Sequence, residues 1–271
     1  MKTKSFIVSF IVAFSVSCSS FKRQATADLT GNMLIPYGRC LQGQGGLELI
    51  SSASHFGFTF TGKACQVTAY LSDAQGHNYL QYEIDGTYEA KKIKIIGDKH
   101  QTFTLSVPHE GTHTVWIYKA TEAHTGPIYI KHIQGSSLQA IAKPKAPLIE
   151  FIGNSITCGA AADPDEVPCG TGAYHDQHNA YQAYGPRLAR KLGVHYVLSS
   201  VSGIGVYRNW NSEGPTMPQV YEKADFQEQG TRAWDFARFT PDIVSISLGT
   251  NDFSGGDGKK RRLPFDSGSF V

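Results

Sequence analysis

Apolar and polar residues alternate along most of the first half of the chain. In FGFTFTG the apolar positions are Phe56, Phe58 and Phe60, and YLQYEIDG, TFTLSV, TVWIYKA and PIYIKHI repeat the alternation. A period of two residues is typical of antiparallel strands that bury one face and expose the other. The pattern predicts an all-β sandwich over residues 30–140, and no helix is indicated there.

A different pattern follows residues 141–147, which contain two prolines and two lysines and are predicted to be a linker. Three segments beyond it, 148–152, 194–199 and 243–248, are rich in apolar residues. Apolar runs of this kind are expected of parallel strands covered on both faces. Alternation of such strands with helical segments predicts an α/β domain over residues 148–271.

One helix is predicted between the first two of these strands. In YQAYGPRLARKLG, Tyr181, Tyr184, Leu188 and Leu192 fall on one helical stripe, and Gly193 follows the last of them. Glycine is common directly after the C-terminus of a helix, so the helix is expected to stop there.

Each predicted strand of this domain is followed by a polar turn that contains glycine: GNSITCG, SVSGIGVYRN and LGTNDFSGG. Catalytic groups of open α/β sheets collect beyond the carboxyl ends of the strands, so we expect one shared site. Ser155 is the candidate nucleophile, Gly203 offers a backbone N–H and Asn251 offers an amide. Ester hydrolysis by serine needs such a hydroxyl, a base, and donors directed at the oxygen that becomes negative. The alternative is that Ser155 and Asn251 only satisfy backbone groups of their turns.

The pairing of Gly-Asn-Ser-Ile-Thr (153–157) with Gly-Thr-Asn-Asp (249–252) resembles the SGNH or GDSL hydrolase superfamily. Together with NYLQYEIDG and GTHTVWIYKATE in the β-rich region and IEFIGNSITCG after the linker, it resembles the carbohydrate esterase family two. The resemblance implies a jelly-roll-like sandwich followed by a flavodoxin-like SGNH hydrolase domain. It also implies that Ser155 is the nucleophile, and that the Ser155 and Gly203 N–H groups and the Asn251 amide form the oxyanion hole.

The function implied by this resemblance is a serine esterase that removes acetyl groups from plant cell-wall polysaccharides such as xylan or glucomannan. No cofactor is expected. The alternative is a non-catalytic carbohydrate-binding protein with a degenerate esterase domain.

Two positions depart from the superfamily pattern. Asn154 replaces the aspartate that precedes the serine, and it is expected to support the turn. No histidine follows Asp252, whereas the superfamily has its catalytic histidine in a later block, so the α/β domain is expected to be incomplete at its C-terminus. His175 and His178 are alternative bases, but they are expected to be loop histidines, and Asp252 is expected to support its own loop.

The segment YHDQHNAY contains residue types that can bind a metal. His175, Asp176 and His178 lie together there. Neighbouring ligands on one short loop rarely close a tetrahedral site without a partner elsewhere, and no metal is expected.

The N-terminus predicts export. Two lysines precede an apolar run over residues 6–16 that ends in SVSCSS, which indicates a signal peptide over residues 1–18. Cys18 resembles the lipidated cysteine of bacterial lipoproteins, although Ser15 stands where that pattern prefers leucine. A membrane tether through a lipid on Cys18 and plain secretion both remain open, so the predicted location is the periplasm, the outer membrane or the medium.

Export makes the remaining cysteines informative. The preferred pairing is Cys40 with Cys65 and Cys158 with Cys169, one bridge in each half, and the alternative is four free buried thiols. The 25 Lys and Arg against 23 Asp and Glu give a net charge of +2, which provides no reason to expect nucleic acid as a partner. The basic run KKRR at 259–262 is predicted to be a solvated loop.

Overall fold

The computed structural model describes residues 26–259 and 262–270. The predicted signal peptide and Cys18 lie outside these ranges, as do residues 260 and 261 of the basic run. Within the two ranges, no helix has the length and apolar character needed to cross a membrane.

The N-terminal domain is a large antiparallel sheet, as the alternating pattern predicts. Its described strands are β1 (Thr26–Thr30), β2 (Pro36–Tyr37), β3 (Cys40–Gly43), β4 (Gly46–Leu49), β5 (His55–Tyr70), β6 (His77–Ile84), β7 (Thr87–Tyr88), β8 (Ile93–Ile96), β9 (Gln101–Ser106), β10 (Thr112–Lys119) and β11 (Ile128–Ile141). Their main order is β3-β4-β11-β5-β10-β6-β7, with β1 on β11, β2 and β9 on β5, and β8 on β6. Hydrogen bonds therefore join these strands into one continuous sheet, whereas a sandwich is usually built from two sheets. The jelly-roll form of the domain stays a prediction.

The two longest strands explain this continuity. β5 pairs with β10 through residues 55–61 and with β9 through residues 64–69. β11 runs beside both parts of β5, and its register shifts at three places. Irregularities of this kind bend a strand, so β5 and β11 serve both halves of the domain. Phe56, Phe58 and Phe60 of β5 are fully buried in the hydrophobic core of the domain, as predicted.

The second domain contains three parallel strands, β12 (Leu148–Gly153), β13 (His195–Ser200) and β14 (Ile243–Ser247), in the order β13-β12-β14. This order matches the start of a flavodoxin-like sheet. The described helices are α1 (Ser155–Cys158), α2 (Tyr184–Leu192), α3 (Met217–Val220), α4 (Thr250–Phe253) and α5 (Ser267–Phe270), with 3-10 helices at Gly31–Met33, Ala123–Thr125, Tyr174–Gln177, Ala180–Gln182 and Phe236–Arg238. All six residues of β12 are buried, as expected of a central parallel strand.

The expectation that β14 is buried is wrong for the described structure. Ile243, Val244 and Ile246 are 56%, 49% and 68% exposed. β14 lies at the edge of the three-stranded sheet, and these exposures show that the described residues cover neither of its faces fully.

Helix α2 ends at Leu192, directly before Gly193, as predicted, and Gly193 is left-handed with φ of 67°. Its predicted apolar stripe does not form the packed face, since Leu188 and Leu192 are largely exposed. The buried side carries Gly185 and Ala189 instead. A Cβ on Gly185 would lie 3.0 Å from the Phe151 ring, so small side chains allow the helix to approach the sheet closely.

A buried arginine joins the two domains. Arg39, which precedes β3, donates from Nε to Ser199 Oγ at 3.2 Å and from Nη1 to the Tyr221 carbonyl at 2.7 Å. Its guanidinium lies 3.8 Å from Glu150 in β12. Burial lowers the pKa of Arg39 to about 10, and the Glu150 carboxylate opposes that shift. Because these contacts are inside the protein, the two domains are fixed to each other rather than joined only by the linker.

The predicted disulfides are not present. All four cysteines in the described residues are free thiols. Cys40, Cys65 and Cys158 are buried and Cys169 is exposed, so the alternative of four buried thiols also fails at one position. Cys158 lies 3.3 Å from Ser200 Oγ and 3.5 Å from Glu122 Oε2, and is therefore packed into a polar cluster instead of a bridge.

Candidate active site

The three candidate turns leave the same edge of the parallel sheet. Gly153 at the end of β12 pairs with Ser200 of β13 on one side and with Ser247 of β14 on the other. Ser155, Gly203 and Asn251 follow these strand ends within four residues. Parallel strands with aligned ends place the loops that follow them side by side.

The first turn ends β12 abruptly and begins helix α1 at Ser155, which is partly buried. A Cβ on Gly153 would overlap the Thr157 side chain, so this tight turn requires glycine. Asn154 occupies the position before the helix, and its side chain makes no capping hydrogen bond. Gly159 ends the helix in the left-handed conformation with φ of 79°.

The second turn carries Gly203, whose φ of 78° lies in the region that favours glycine. The carbonyl of Gly203 accepts the Trp210 N–H at 2.8 Å. Asn251 from the third turn donates from Nδ2 to the Ile204 carbonyl at 2.7 Å. An amide nitrogen has two hydrogens, so this bond fixes Asn251 beside the Gly203 loop and leaves one hydrogen for a substrate oxygen.

Asp252 supports the second turn rather than its own loop, which corrects the expectation from the sequence. It is fully buried, and its Oδ1 accepts N–H groups from Tyr207 at 2.8 Å and Arg208 at 2.9 Å. Arg208 returns a bond from Nε to the Asp252 carbonyl at 2.6 Å. A Cβ on Gly205 would lie 2.7 Å from the Asp252 carboxylate, so glycine permits this close approach.

A carboxylate from the N-terminal domain also reaches the second turn. Glu122 is 3% exposed, and its Oε2 accepts the Ser202 N–H at 2.6 Å, one residue before Gly203. The same oxygen faces Cys158 at the end of α1. Lys119, also buried, donates to the Glu122 carbonyl, and burial lowers the pKa of Lys119 to about 7 against the opposing effect of Glu122. The sequence contains no local signal for Glu122, because its partner lies in the other domain.

The two candidate loop histidines have different surroundings. His178 is fully buried, and neither of its ring nitrogens has a hydrogen-bond partner. Burial lowers the pKa of His178 to about 4, although Glu122 opposes this shift. His175 contacts the His77 carbonyl through Nε2 at 3.1 Å. Among the described residues, no histidine is hydrogen-bonded to Ser155.

The structure brings a third side chain to His175 and Asp176 that the sequence did not indicate. His77, at the start of β6, approaches Asp176 Oδ1 with Nε2 at 2.5 Å. One ligand atom from each of His77, His175 and Asp176 lies within 4.8 Å of the others. We refer to these three residues as the interdomain cluster. His178 is not part of it.

Family models match both domains. A model described as carbohydrate esterase 2 N-terminal matches residues 37–144, and one described as GDSL-like lipase/acylhydrolase family matches residues 151–264.

Two curated proteins illustrate the similarity. A cellulase/esterase, CelE, from Acetivibrio thermocellus is 31% identical over 212 residues, which are 75% of this chain and 24% of that protein. An acetylxylan esterase / glucomannan deacetylase from Cellvibrio japonicus is 27% identical over 195 residues, 70% of this chain and 53% of that protein. The chain thus spans about a quarter and about half of the length of these relatives.

Solved structures give the same result. A family two carbohydrate esterase from Clostridium thermocellum, in complex with cellohexaose, has a TM-score of 0.72 at 28% identity. The match covers 82% of this chain and 67% of the chain in that structure. One from Cellvibrio japonicus has a TM-score of 0.72 at 24% identity, covering 86% of this chain and 70% of its own, and supports the fold. With both domains matched in this order, the chain belongs to the family two carbohydrate esterases.

Proposed function

We propose that this chain is a serine esterase that removes acetyl groups from plant cell-wall polysaccharides such as xylan or glucomannan. The observation that carries the proposal is the meeting of three turns at one sheet edge, with the Asn251 amide bonded to the loop that contains Gly203. A hydroxyl and two donors from separate loops are the arrangement that acyl transfer requires.

In this mechanism the Ser155 hydroxyl attacks the acetyl carbonyl while a general base takes its proton. The carbonyl oxygen becomes negative, and the N–H groups of Ser155 and Gly203 and the Asn251 amide stabilise it. The sugar hydroxyl leaves, acetyl-enzyme remains, and water then releases acetate. Removal of one such donor typically lowers kcat about 100- to 1,000-fold. Because neither His175 nor His178 is hydrogen-bonded to Ser155, we assign neither the role of base.

Exposed aromatic rings beside the second turn support a sugar substrate. Tyr174 is 59% exposed and donates a hydrogen bond from its hydroxyl to Ser202 Oγ at 3.1 Å. Trp210 is 39% exposed, and its backbone N–H donates to the Gly203 carbonyl. Exposed aromatic faces pack well against the C–H faces of sugar rings. The curated relative from Cellvibrio japonicus is named an acetylxylan esterase / glucomannan deacetylase, which supports an acetylated polysaccharide as the substrate class.

The test is acetate release from 4-nitrophenyl acetate and from acetylated xylan by the wild type and by Ser155→Ala. We expect Ser155→Ala to abolish release with an unchanged circular dichroism spectrum. Ser106→Ala, which alters an exposed serine of β9, serves as the matched control. Full turnover by folded Ser155→Ala would remove Ser155 from its proposed role.

A carbohydrate-binding protein without catalysis is the second candidate. It is favoured by one observation, the solved family two relative in complex with cellohexaose. Wild-type protein that binds cello-oligosaccharides in calorimetry and releases no acetate from either ester would support this function in place of the esterase.

A further inference from the structure

The interdomain cluster lies where β6 of the N-terminal domain meets the 3-10 helix Tyr174–Gln177 of the second domain. His77 and Asp176 have side chains that are 22% and 14% exposed, so a small ion from solvent can reach them. Two imidazoles and one carboxylate are donors that Zn²⁺ accepts, usually with a water in the fourth position. Ca²⁺ and Mg²⁺ prefer oxygen ligands.

Hydrogen bonds to neighbouring groups hold two of the three side chains in place. Asp176 Oδ1 accepts the Tyr79 hydroxyl at 2.8 Å, and Oδ2 accepts the Ala173 N–H at 2.8 Å. His175 Nε2 bonds to the His77 carbonyl, which leaves the Nδ1 lone pair as its free ligand atom. A bond from the second ring nitrogen to a backbone carbonyl is the usual way in which proteins orient a ligating histidine.

We propose that His77, His175 and Asp176 form a binding site for a divalent transition-metal ion, Zn²⁺ in the first instance. His77 Nε2 exchanges its contact with Asp176 for the ion, and its ring hydrogen then resides on Nδ1. Asp176 keeps its bonds to Tyr79 and Ala173. Lys92 is a nearby cation, and its Nζ lies 3.0 Å from the Asp176 carbonyl and 3.5 and 3.4 Å from the carboxylates of Asp163 and Glu166, which oppose its charge.

The ion would link the two domains, because His77 belongs to one domain and His175 and Asp176 to the other. A ligand that binds only the folded chain shifts the unfolding equilibrium by a factor of 1 + [L]/Kd, about 100-fold at 100 times Kd. The ion would also fix the helix that carries Tyr174, whose hydroxyl contacts Ser202 beside Gly203. The proposal does not rest on the esterase reaction, and its test does not require turnover.

The experiment uses the full chain without an affinity tag and with the substitution Cys169→Ser, because an exposed thiol such as that of Cys169 can itself bind zinc. After chelator treatment, Zn²⁺ is titrated by calorimetry against a competing chelator of known affinity. We expect one ion per chain, with binding at least about 10-fold weaker in His77→Ala and in His175→Ala, and about 10-fold weaker in Tyr79→Phe. His113→Ala is the matched control, because His113 also pairs with an aspartate, Asp85, outside the cluster.

X-ray absorption on the zinc-loaded protein gives a readout that needs no variant. Nitrogen and oxygen ligands at about 2.0–2.2 Å, without a sulfur shell at about 2.3 Å, support the site. Equal zinc affinity in the wild type and both histidine variants overturns the proposal, as does a sulfur shell. No detectable zinc binding by the folded wild type overturns the proposal as well. Ester hydrolysis is measured separately, so that failure of the metal site can be distinguished from failure of the esterase proposal.

Discussion

Replacement of Glu122 by alanine tests whether the N-terminal domain holds the second turn in place. The buried Glu122 side chain accepts the Ser202 N–H through Oε2 at 2.6 Å in a partly buried hydrogen bond. A hydrogen bond to a charged group contributes about 1.5–3 kcal/mol, and the substitution leaves the partly buried Ser202 N–H without this partner. We therefore expect Glu122→Ala to lower the free energy of unfolding by about 2–3 kcal/mol.

The effect on catalysis follows from the position of Gly203 next to Ser202. A displaced Gly203 N–H stabilises the oxyanion less well, and a loss of 1.4 kcal/mol in the transition state is about 10-fold in rate. We expect kcat for 4-nitrophenyl acetate to fall at least about 10-fold in Glu122→Ala with little change in KM. Glu122→Gln keeps an acceptor oxygen and is expected to lose about 1 kcal/mol of stability and only a few-fold in kcat.

Urea denaturation gives the free energy of unfolding, and acetate release gives kcat and KM. The Ser202 amide proton in NMR spectra reports the hydrogen bond directly, whether or not the protein turns over ester. Glu110→Ala, at an exposed site, is the matched control and should stay within about 0.5 kcal/mol. An unfolding free energy for Glu122→Ala within that margin, with an unshifted Ser202 amide, would show that Glu122 does not hold the second turn in place.

Three further outcomes are expected. The pKa of His178 is lower in the folded than in the unfolded protein, so the free energy of unfolding should fall by about 3 kcal/mol in total as the pH drops from 6.5 to about 4. His178→Leu should remove this part of the pH dependence in urea titrations. Parallel pH curves for the wild type and the variant would contradict this prediction. Gly205→Ala should cost about 1–3 kcal/mol in the same assay, because a Cβ there overlaps the Arg208 carbonyl and crowds Asp252, and an unchanged midpoint would show that the turn can relax. In native protein kept without reductant, a thiol reagent should label Cys169 rapidly and the three buried cysteines only after denaturation. Disulfide-linked peptides in a non-reducing peptide map would contradict the free thiols.

Local sequence is sufficient to predict the features that depend on neighbouring residues. Alternating apolar residues predicted the antiparallel strands, and the apolar run before Ser155 predicted a buried β12 followed by a tight turn. Gly193 marked the end of α2. These features can be predicted because strand periodicity, tight turns and left-handed helix ends are set by the stereochemistry of a few consecutive residues.

Tertiary structure decides what depends on contacts between distant segments. Glu122 and Ser202 are 80 residues apart, and His77 and Asp176 are 99 apart, and no local pattern marks either pair. The packed face of α2 was also mispredicted, since it uses Gly185 against Phe151 rather than the larger apolar residues. Periodicity gives the faces of each element, but the distance and orientation at which two elements pack decide which face is buried and which polar groups meet.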